Sequence, residues 1–208
     1  MHNPQAAHIL MVKRILRHVK STLDLGWVLI PFADFSLQAF QAFSDADWAG
    51  SSSDRRSTGG YLVYFGPNLV SWQSKKQKTV ARSSTESEYK ALANCAAELT
   101  WLMYLLRDLH VSVPKPSILW CDNLGATFLS ANPVFHARTK HIEIDFHFVR
   151  EKVAHKEITV QFISTKDQLV DILTKRLSHV HFKFFRDKLR LASRVTSACE
   201  GSIGSSRV

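Results

Sequence analysis

The sequence predicts an α/β protein with a mixed, five-stranded sheet flanked by helices. Three apolar stretches separated by short polar segments come first, which is typical of antiparallel strands. Helices and strands then alternate, as in sheets whose parallel strands are covered on both faces. The predicted strands are 37–45, 61–65, 69–74, 117–122 and 158–163, and the predicted helices are 5–20, 85–109, 166–177 and 179–191.

The first half of this order rests on periodicity and turn residues. A helix over 5–20 follows from apolar residues at helical spacing with basic residues between them. These apolar residues are Ile9, Val12, Leu16 and Val19. The strands 61–65 and 69–74 are joined by Gly66-Pro67-Asn68, which indicates a hairpin. The segment 75–83 is basic and is predicted to be irregular.

The second half begins with the long helix 85–109. Two capping boxes compete for its start, Thr85 with Glu88 or Ser83 with Glu86. Mixed helical sequence follows the strand 117–122 as far as about residue 153. A further helix is predicted over 166–177, and residues from 193 onward lack periodicity and are rich in Ser and Gly, which predicts disorder.

Charge and cysteine content narrow the function classes. The chain has 208 residues, with 27 Lys and Arg against 18 Asp and Glu, a formal net charge of +9. Such an excess favours polyanions, either nucleic acid or an anionic membrane. No apolar run approaches the roughly 20 residues of a membrane span, and no secretory signal is expected at the N-terminus. Three widely spaced cysteines fit a reducing compartment, with Cys95 and Cys121 predicted in the core.

Three acids lie next to apolar residues, where they do not serve to make the surface soluble. Asp45 and Asp122 end apolar strands, and Glu88 lies on the apolar side of the long helix. Acids directed toward a core must be paired, protonated or bound to metal. Carboxyl ends of strands gather ligands in α/β sheets. In so basic a chain, these acids predict a divalent-cation site surrounded by cationic surface.

Each acid also has a structural explanation that the residues alone leave open. Glu88 shares a helix face with an apolar stripe, yet it could be the far half of a capping box. Asp45 and Asp47 point to one side of their strand and compete for one role, and either could make a turn. Asp122 could cap the next helix. Helical periodicity over 166–177 places Asp171 on the exposed side.

Several long motifs identify a family. They are Phe43-Ser44-Asp45-Ala46-Asp47-Trp48-Ala49-Gly50, Asp54-Arg55-Arg56-Ser57-Thr58-Gly59-Gly60-Tyr61, Ser71-Trp72-Gln73-Ser74-Lys75-Lys76-Gln77, Ser83-Ser84-Thr85-Glu86-Ser87-Glu88-Tyr89, Cys121-Asp122-Asn123 and Arg138-Thr139-Lys140-His141-Ile142, with the segment Asp167 to Lys175. Over about residues 5 to 177 they resemble the ribonuclease H domain of copia-type retrotransposon Pol polyproteins.

This resemblance implies a ribonuclease H-like fold and a catalytic set of four acids. Position by position they match Asp45, Glu88, Asp122 and Asp171, which chooses Asp45 over Asp47 and overrules the periodicity at Asp171. The implied cofactor is a pair of Mg²⁺ ions, with Mn²⁺ as a substitute, because carboxylate oxygens suit hard cations. Many cellular relatives use a histidine in the loop before the last catalytic helix, and here that loop is Ser164-Thr165-Lys166.

The implied substrate is an RNA–DNA hybrid whose RNA strand is cut. Residues predicted to contact nucleic acid are Lys75, Lys76, Lys78, Arg82, Asn123, Arg138 and Lys140. A solvated loop is the alternative for the lysine cluster. Trp72 could stack on the substrate, although a core position is expected for it.

The resemblance also divides the chain. Residues 1–34 correspond to the end of a reverse transcriptase, 35–178 to the nuclease, 179–192 to a C-terminal helix and 193–208 to a disordered tail. The reverse transcriptase domain of a full polyprotein is the expected partner, and the expected location is intracellular. The alternative function is a catalytically idle retrotransposon remnant that only binds nucleic acid.

Overall fold

The computed structural model describes residues 5–32, 39–132 and 142–193. Its elements in chain order are α1 (Ala6–Thr22), β1 (Leu25–Trp27), β2 (Phe40–Asp47), β3 (Thr58–Phe65), β4 (Asn68–Lys76), α2 (Ser84–Asp108), β5 (Ser117–Cys121), α3 (Leu124–Ala131), α4 (Glu143–Ala154), β6 (Ile158–Phe162), α5 (Asp171–Thr174), α6 (His179–Lys188) and β7 (Leu191–Ser193). The chain separates into two units, Ile30–Phe185 and a smaller one formed by both terminal segments.

The larger unit is built on a five-stranded sheet in the order β4-β3-β2-β5-β6. The strand β2 pairs antiparallel with β3, which pairs antiparallel with β4. On its other side β2 pairs parallel with β5, which pairs parallel with β6. The predicted ribonuclease H-like fold, three antiparallel strands followed by two parallel ones with flanking helices, is confirmed.

Helix α2 supplies the centre of the core. The residues Leu92, Cys95 and Leu99 recur on one helix face and are completely buried. They pack in one cluster with Val63 of β3 and Leu119 of β5. The predicted apolar face of α2 is therefore confirmed, as is the core position of both Cys95 and Cys121.

The segment predicted as one helix over 166–177 folds differently. A 3₁₀ turn over Thr165–Asp167 is followed by the four-residue helix α5. The side chain of Gln168 between them is fully buried, and its Nε2 donates to the carbonyl oxygen of Ser44 at 2.9 Å. This anchor to β2 holds Gln168 in an extended conformation, which interrupts the helix and makes the single-helix prediction wrong.

The basic segment after the third strand also differs from its prediction. Strand β4 continues to Lys76, so that Lys75 and Lys76 are paired with Gly59 and Thr58 of β3 rather than lying in an irregular loop. The core position expected for Trp72 is wrong, because 49% of this residue is exposed. Trp72 lies in β4, the outermost strand on its side of the sheet, which leaves its side chain partly open to solvent.

The smaller unit contains a two-stranded sheet that the sequence did not predict. Strands β1 and β7 pair antiparallel, with Gly26 opposite Ala192. The helix predicted over 179–191 ends at Lys188, and Arg190 has a φ of 56° before β7 begins. Strands of three residues are too short to show periodicity in the sequence. Residues 194–208 of the predicted tail lie outside the described residues, and the predicted domain boundaries stay predictions.

Helix α1 of the smaller unit has no buried residue. Its apolar side chains Ile9, Val12, Ile15 and Leu16 are all exposed. Within residues 5–32, 39–132 and 142–193, no helix is both long and apolar enough to cross a bilayer.

The closeness of β3 to the segment around α5 gives a test of the fold. A Cβ atom at Gly60 would lie 2.9 Å from Thr174 Cγ2 and 3.1 Å from Val170 Cγ1. We expect Gly60→Ala to reduce the free energy of unfolding by about 1–3 kcal/mol, because the added methyl group overpacks this contact. Urea unfolding measures the change. Gly26→Ala is the control, since no atom lies within 4 Å of a Cβ there, and equal stability of both variants would contradict the packing.

Candidate metal centre

Two acids reach the same end of the sheet because β2 and β5 are parallel neighbours. Ser44 of β2 is in register with Cys121 of β5, so the next residues, Asp45 and Asp122, are adjacent. Asp45 is paired with Gly60 inside the sheet and is completely buried, which excludes the turn explanation for it. The cap of α3 is Asn123, which excludes the capping explanation for Asp122.

The third acid, Glu88, enters from α2. The helix cap is Ser83, whose hydroxyl accepts from the Glu86 N–H at 3.1 Å. Glu86 accepts from the Arg82 N–H at 2.9 Å and pairs with Lys90 Nζ at 2.7 Å. Capping is therefore the role of Glu86, not of Glu88. The side chain of Glu86 is only 11% exposed, so these contacts are largely shielded from solvent.

The three acids converge. Asp45, Glu88 and Asp122 each offer a carboxylate oxygen, and these oxygens lie within 4.8 Å of one another. The Oε2 atom of Glu88 is buried and has no hydrogen-bond partner. A buried carboxylate oxygen without a donor is costly unless a cation compensates it. An all-oxygen set of this kind fits a hard divalent cation such as Mg²⁺ or Mn²⁺.

The fourth predicted acid, Asp171, lies next to this group. It is the first residue of α5, is 7% exposed and accepts from Lys175 Nζ at 2.7 Å. The same Nζ is 3.0 Å from Asp45 Oδ1. The exposed position that periodicity predicted for Asp171 is wrong, because the break at Gln168 changes the helix phase.

Residues of α5 and its C-cap also hold Asp45. The hydroxyl of Thr174 donates to Asp45 Oδ2, and the ammonium of Lys175 donates to Oδ1. Neither residue was predicted as part of the site. The spacing of four residues between Asp171 and Lys175 was a visible signal, since oppositely charged residues at this spacing pair on a helix.

Burial and mutual repulsion change the protonation of the acids. Burial raises the pKa of Glu88 to about 9, and the charges of Asp45 and Asp122 act in the same direction. Burial likewise raises the pKa of Asp45, against the hydrogen bond from Thr174 and the charge of Lys175. Burial also raises the pKa of Asp171, and the hydrogen bond from Lys175 only partly opposes this increase. Without a bound cation, Glu88 therefore retains its proton at neutral pH.

The loop Ser164-Thr165-Lys166, which precedes α5 and contains no histidine, contacts the acid cluster. The hydroxyl of Thr165 donates to Asp122 Oδ2 at 3.1 Å. This bond connects the 3₁₀ turn to the end of β5 and fixes the orientation of the Asp122 carboxylate. Thr165 was not predicted as a functional residue.

The residues predicted to contact nucleic acid differ in their surroundings. Lys75, Lys78 and Arg82 have exposed side chains. Lys76 is also exposed, but its Nζ pairs with Asp54 at 2.8 Å. Asn123 caps α3 by accepting from the Ala126 N–H at 2.9 Å, so its carbonyl oxygen already has a structural role.

Arg138 and Lys140 lie outside the described residues.

The lysines at the end of β4 and just after it line a cavity of about 450 Å³ together with residues of α2. The cationic residues in this lining are Lys75, Lys76, Lys78 and Lys90. A concave surface with this charge is suited to a phosphate backbone.

Comparison with known proteins agrees with the resemblance. The retrovirus-related Pol polyprotein from transposon RE2 of Arabidopsis thaliana is 47% identical over 201 residues, which is 97% of this chain. That from transposon RE1 of the same plant is 48% identical over 189 residues, or 91% of the chain. Retrovirus-related transposon Pol polyproteins are close homologues of this chain.

The chain spans 14% and 13% of the lengths of these two Pol homologues. No protein-family model matches it. Among solved structures, the N-terminal RNase H domain of a Mycobacterium tuberculosis protein has a TM-score of 0.48 at 9% identity. The alignment covers 79% of this chain and all of that one.

The raised pKa of Glu88 predicts how stability depends on pH without metal. A carboxyl whose pKa is about 9 when folded and 4.5 when unfolded binds more protons in the folded state between these values. Stability is therefore greatest below pH 4.5 for this group and falls as the pH rises toward 9. In EDTA we expect the melting temperature to be at least about 3 °C lower at pH 9 than at pH 6.

The variant Glu88→Gln isolates this contribution. Its neutral amide cannot ionise, so the difference between its melting temperatures at the two pH values should be smaller than in the wild type. Glu143→Gln, a change in the first turn of α4, is the control for an unrelated acid. An equal pH dependence in Glu88→Gln and the wild type would show that Glu88 is ionised throughout.

Proposed function

We propose that this chain is a metal-dependent ribonuclease H that hydrolyses the RNA strand of RNA–DNA hybrids. The observation that carries this proposal is the convergence of Asp45, Glu88 and Asp122, whose carboxylate oxygens lie within 4.8 Å of one another. Grouping three acids in one place, two of them buried, is unfavourable for folding alone. Their position at the ends of β2 and β5 is where α/β sheets bind ligands.

The proposed cofactor is a pair of Mg²⁺ ions, for which Mn²⁺ can substitute. Asp45, Glu88, Asp122 and Asp171 are the proposed ligands, and the unpaired Oε2 of Glu88 supports this fit. When bound, such ions would supply an activated water and stabilise the leaving oxygen in phosphodiester hydrolysis.

The chain's own residues prepare this site. The parallel pairing of β2 and β5 holds Asp45 and Asp122 side by side. Thr174 and Thr165 orient these two carboxylates by hydrogen bonds. Glu88 must release its proton before it binds a cation, so metal binding is coupled to proton release.

The proposed substrate explains the surface charge. The exposed cations Lys75, Lys78 and Arg82 lie at the end of β4 or between it and the helix of Glu88. Such residues bind phosphates without reading sequence. Contacts to 2′-hydroxyl groups are the means by which a protein demands RNA in one strand of the hybrid.

The polyprotein homologues supply the proposed context. Because the chain spans only 14% of the RE2 polyprotein, most of such a protein lies outside it. We infer that residues 1–34 derive from the end of a reverse transcriptase and that this domain is the partner within an intracellular element. The exposed apolar side chains of α1 agree with a helix that packs against another domain of such a polyprotein.

Cleavage of a labelled hybrid tests the function. We expect the purified chain with Mg²⁺ to produce RNA fragments, and Asp45→Asn to lower the rate at least about 100-fold, because even partners of metal ligands typically matter by 10–100-fold. Asp47→Asn is the matched control. It changes an acid of the same strand that is not part of the converging group, and it should retain activity.

Other results would redirect the proposal. Binding of the hybrid without cleavage by the wild type would favour the catalytically idle remnant. Cleavage of duplex DNA would indicate a different nuclease with the same fold. Equal activity in Asp45→Asn and the wild type would contradict the site.

Salt dependence of binding tests the role of the exposed lysines. We expect Lys78→Ala to weaken hybrid binding and to reduce the slope of log K against log salt by about 1, as for one lost phosphate contact. Fluorescence anisotropy in EDTA measures binding without cleavage. Lys183→Ala in α6 is the control for a lost surface charge, and the same slope change in both variants would contradict a specific contact.

A further inference from the structure

Both carboxylate oxygens of Asp45 accept hydrogen bonds from α5 and its C-cap. The Thr174 hydroxyl donates to Oδ2, and Lys175 Nζ lies 3.0 Å from Oδ1. The same ammonium is 2.7 Å from Asp171 Oδ1. One cation of the chain itself therefore bridges two of the four acids.

The ammonium of Lys175 compensates the negative charge that is buried at Asp45. Asp45 is completely buried, and a buried carboxylate without compensation strongly destabilises a fold. Lys175 supplies a positive charge at this point in the absence of any other cation. The two hydrogen bonds of Lys175 also connect α5 to β2, so that the compensation contributes to folding.

The same bridge opposes a metal ion. A divalent cation that binds Asp45 Oδ1 must either approach the ammonium closely or displace it. Positive charges held this close to each other repel strongly near a protein surface. Retaining Lys175 at Oδ1 is therefore incompatible with tight metal binding there.

The position of Lys175 allows its side-chain ammonium to move away from Asp45. It follows α5 as the C-cap residue, and its backbone N–H remains bonded to the carbonyl oxygen of Asp171 at 2.9 Å. Its side chain is 32% exposed, so the ammonium has a route to solvent. Rotation of the side chain alone can therefore release Asp45 without moving α5.

We propose that Lys175 is a displaceable internal counter-cation that competes with the metal ions for Asp45. Resting on the proposed metal-dependent nuclease, this inference adds that Lys175 stabilises the metal-free site and raises the metal concentration needed to fill it. Lys175 is thus a positioning residue that acts through Asp45 and Asp171.

Metal affinity measured without substrate tests this inference. We expect Lys175→Met to bind Mn²⁺ at least about tenfold more tightly than the wild type in calorimetric titrations, because a competing charge has been removed. Lys175→Arg keeps the charge and should bind like the wild type. Lys183→Met, which removes an exposed lysine of α6, is the control for net charge.

Thermal stability supplies a second signature. In EDTA, Lys175→Met should melt below the wild type because the buried acids lose their compensation. Saturating Mn²⁺ should raise its melting temperature by more than it raises that of the wild type. A residue with a merely structural role would lower the melting temperature equally with and without metal.

The wild-type protein allows a test that does not depend on a variant folding. The ¹⁵Nζ signal of Lys175, assigned by its loss in Lys175→Arg, should show slow hydrogen exchange without metal and lose this protection when Mg²⁺ is added. Persistence of the protected signal at saturating Mg²⁺ would overturn the inference. Unchanged or weaker Mn²⁺ affinity in Lys175→Met would also overturn it.

The two proposals fail in different ways. If Asp45→Asn binds Mn²⁺ and cuts hybrid like the wild type, the metal site itself is wrong. If Asp45→Asn loses both properties while Lys175→Met leaves Mn²⁺ affinity unchanged, only the competition by Lys175 is wrong.

Discussion

The burial of several carboxylates at one end of the sheet is the constraint on which the rest of the structure depends. Parallel pairing of β2 and β5 makes Asp45 and Asp122 neighbours, and the buried face of α2 adds Glu88. Negative charges at this distance repel in a low-dielectric interior. Residues of the surrounding elements offset this repulsion.

Two kinds of compensation are visible. Glu88 keeps a proton at neutral pH, since burial and mutual repulsion raise its pKa to about 9. The segment from Gln168 to Lys175 contributes an amide anchor to β2 and an ammonium shared by Asp45 and Asp171. Both kinds are reversible, which is what a site needs if it is to be stable when empty and still accept cations.

Charge is also separated over the larger unit. Asp45, Glu88 and Asp171 are buried, while Lys75, Lys78 and Arg82 are exposed in β4 and the segment before α2. The net charge of +9 favours polyanions. The short stretch of chain from β4 into α2 carries these exposed cations and leads directly to Glu88.

Local patterns of the sequence determined much of this protein. The apolar runs fixed where β2, β5 and β6 form, and helical periodicity placed Glu88 on the buried face of α2. Those elements are long or strongly apolar, so that their local preference and their final environment agree. Tertiary structure alone decided that Ser83 and Glu86 cap α2, that Gln168 interrupts the last predicted helix, and that Lys175 contacts Asp45. These outcomes depend on contacts between residues more than a hundred positions apart or on competition between equivalent local motifs, and the periodicity of a single segment contains no information about either.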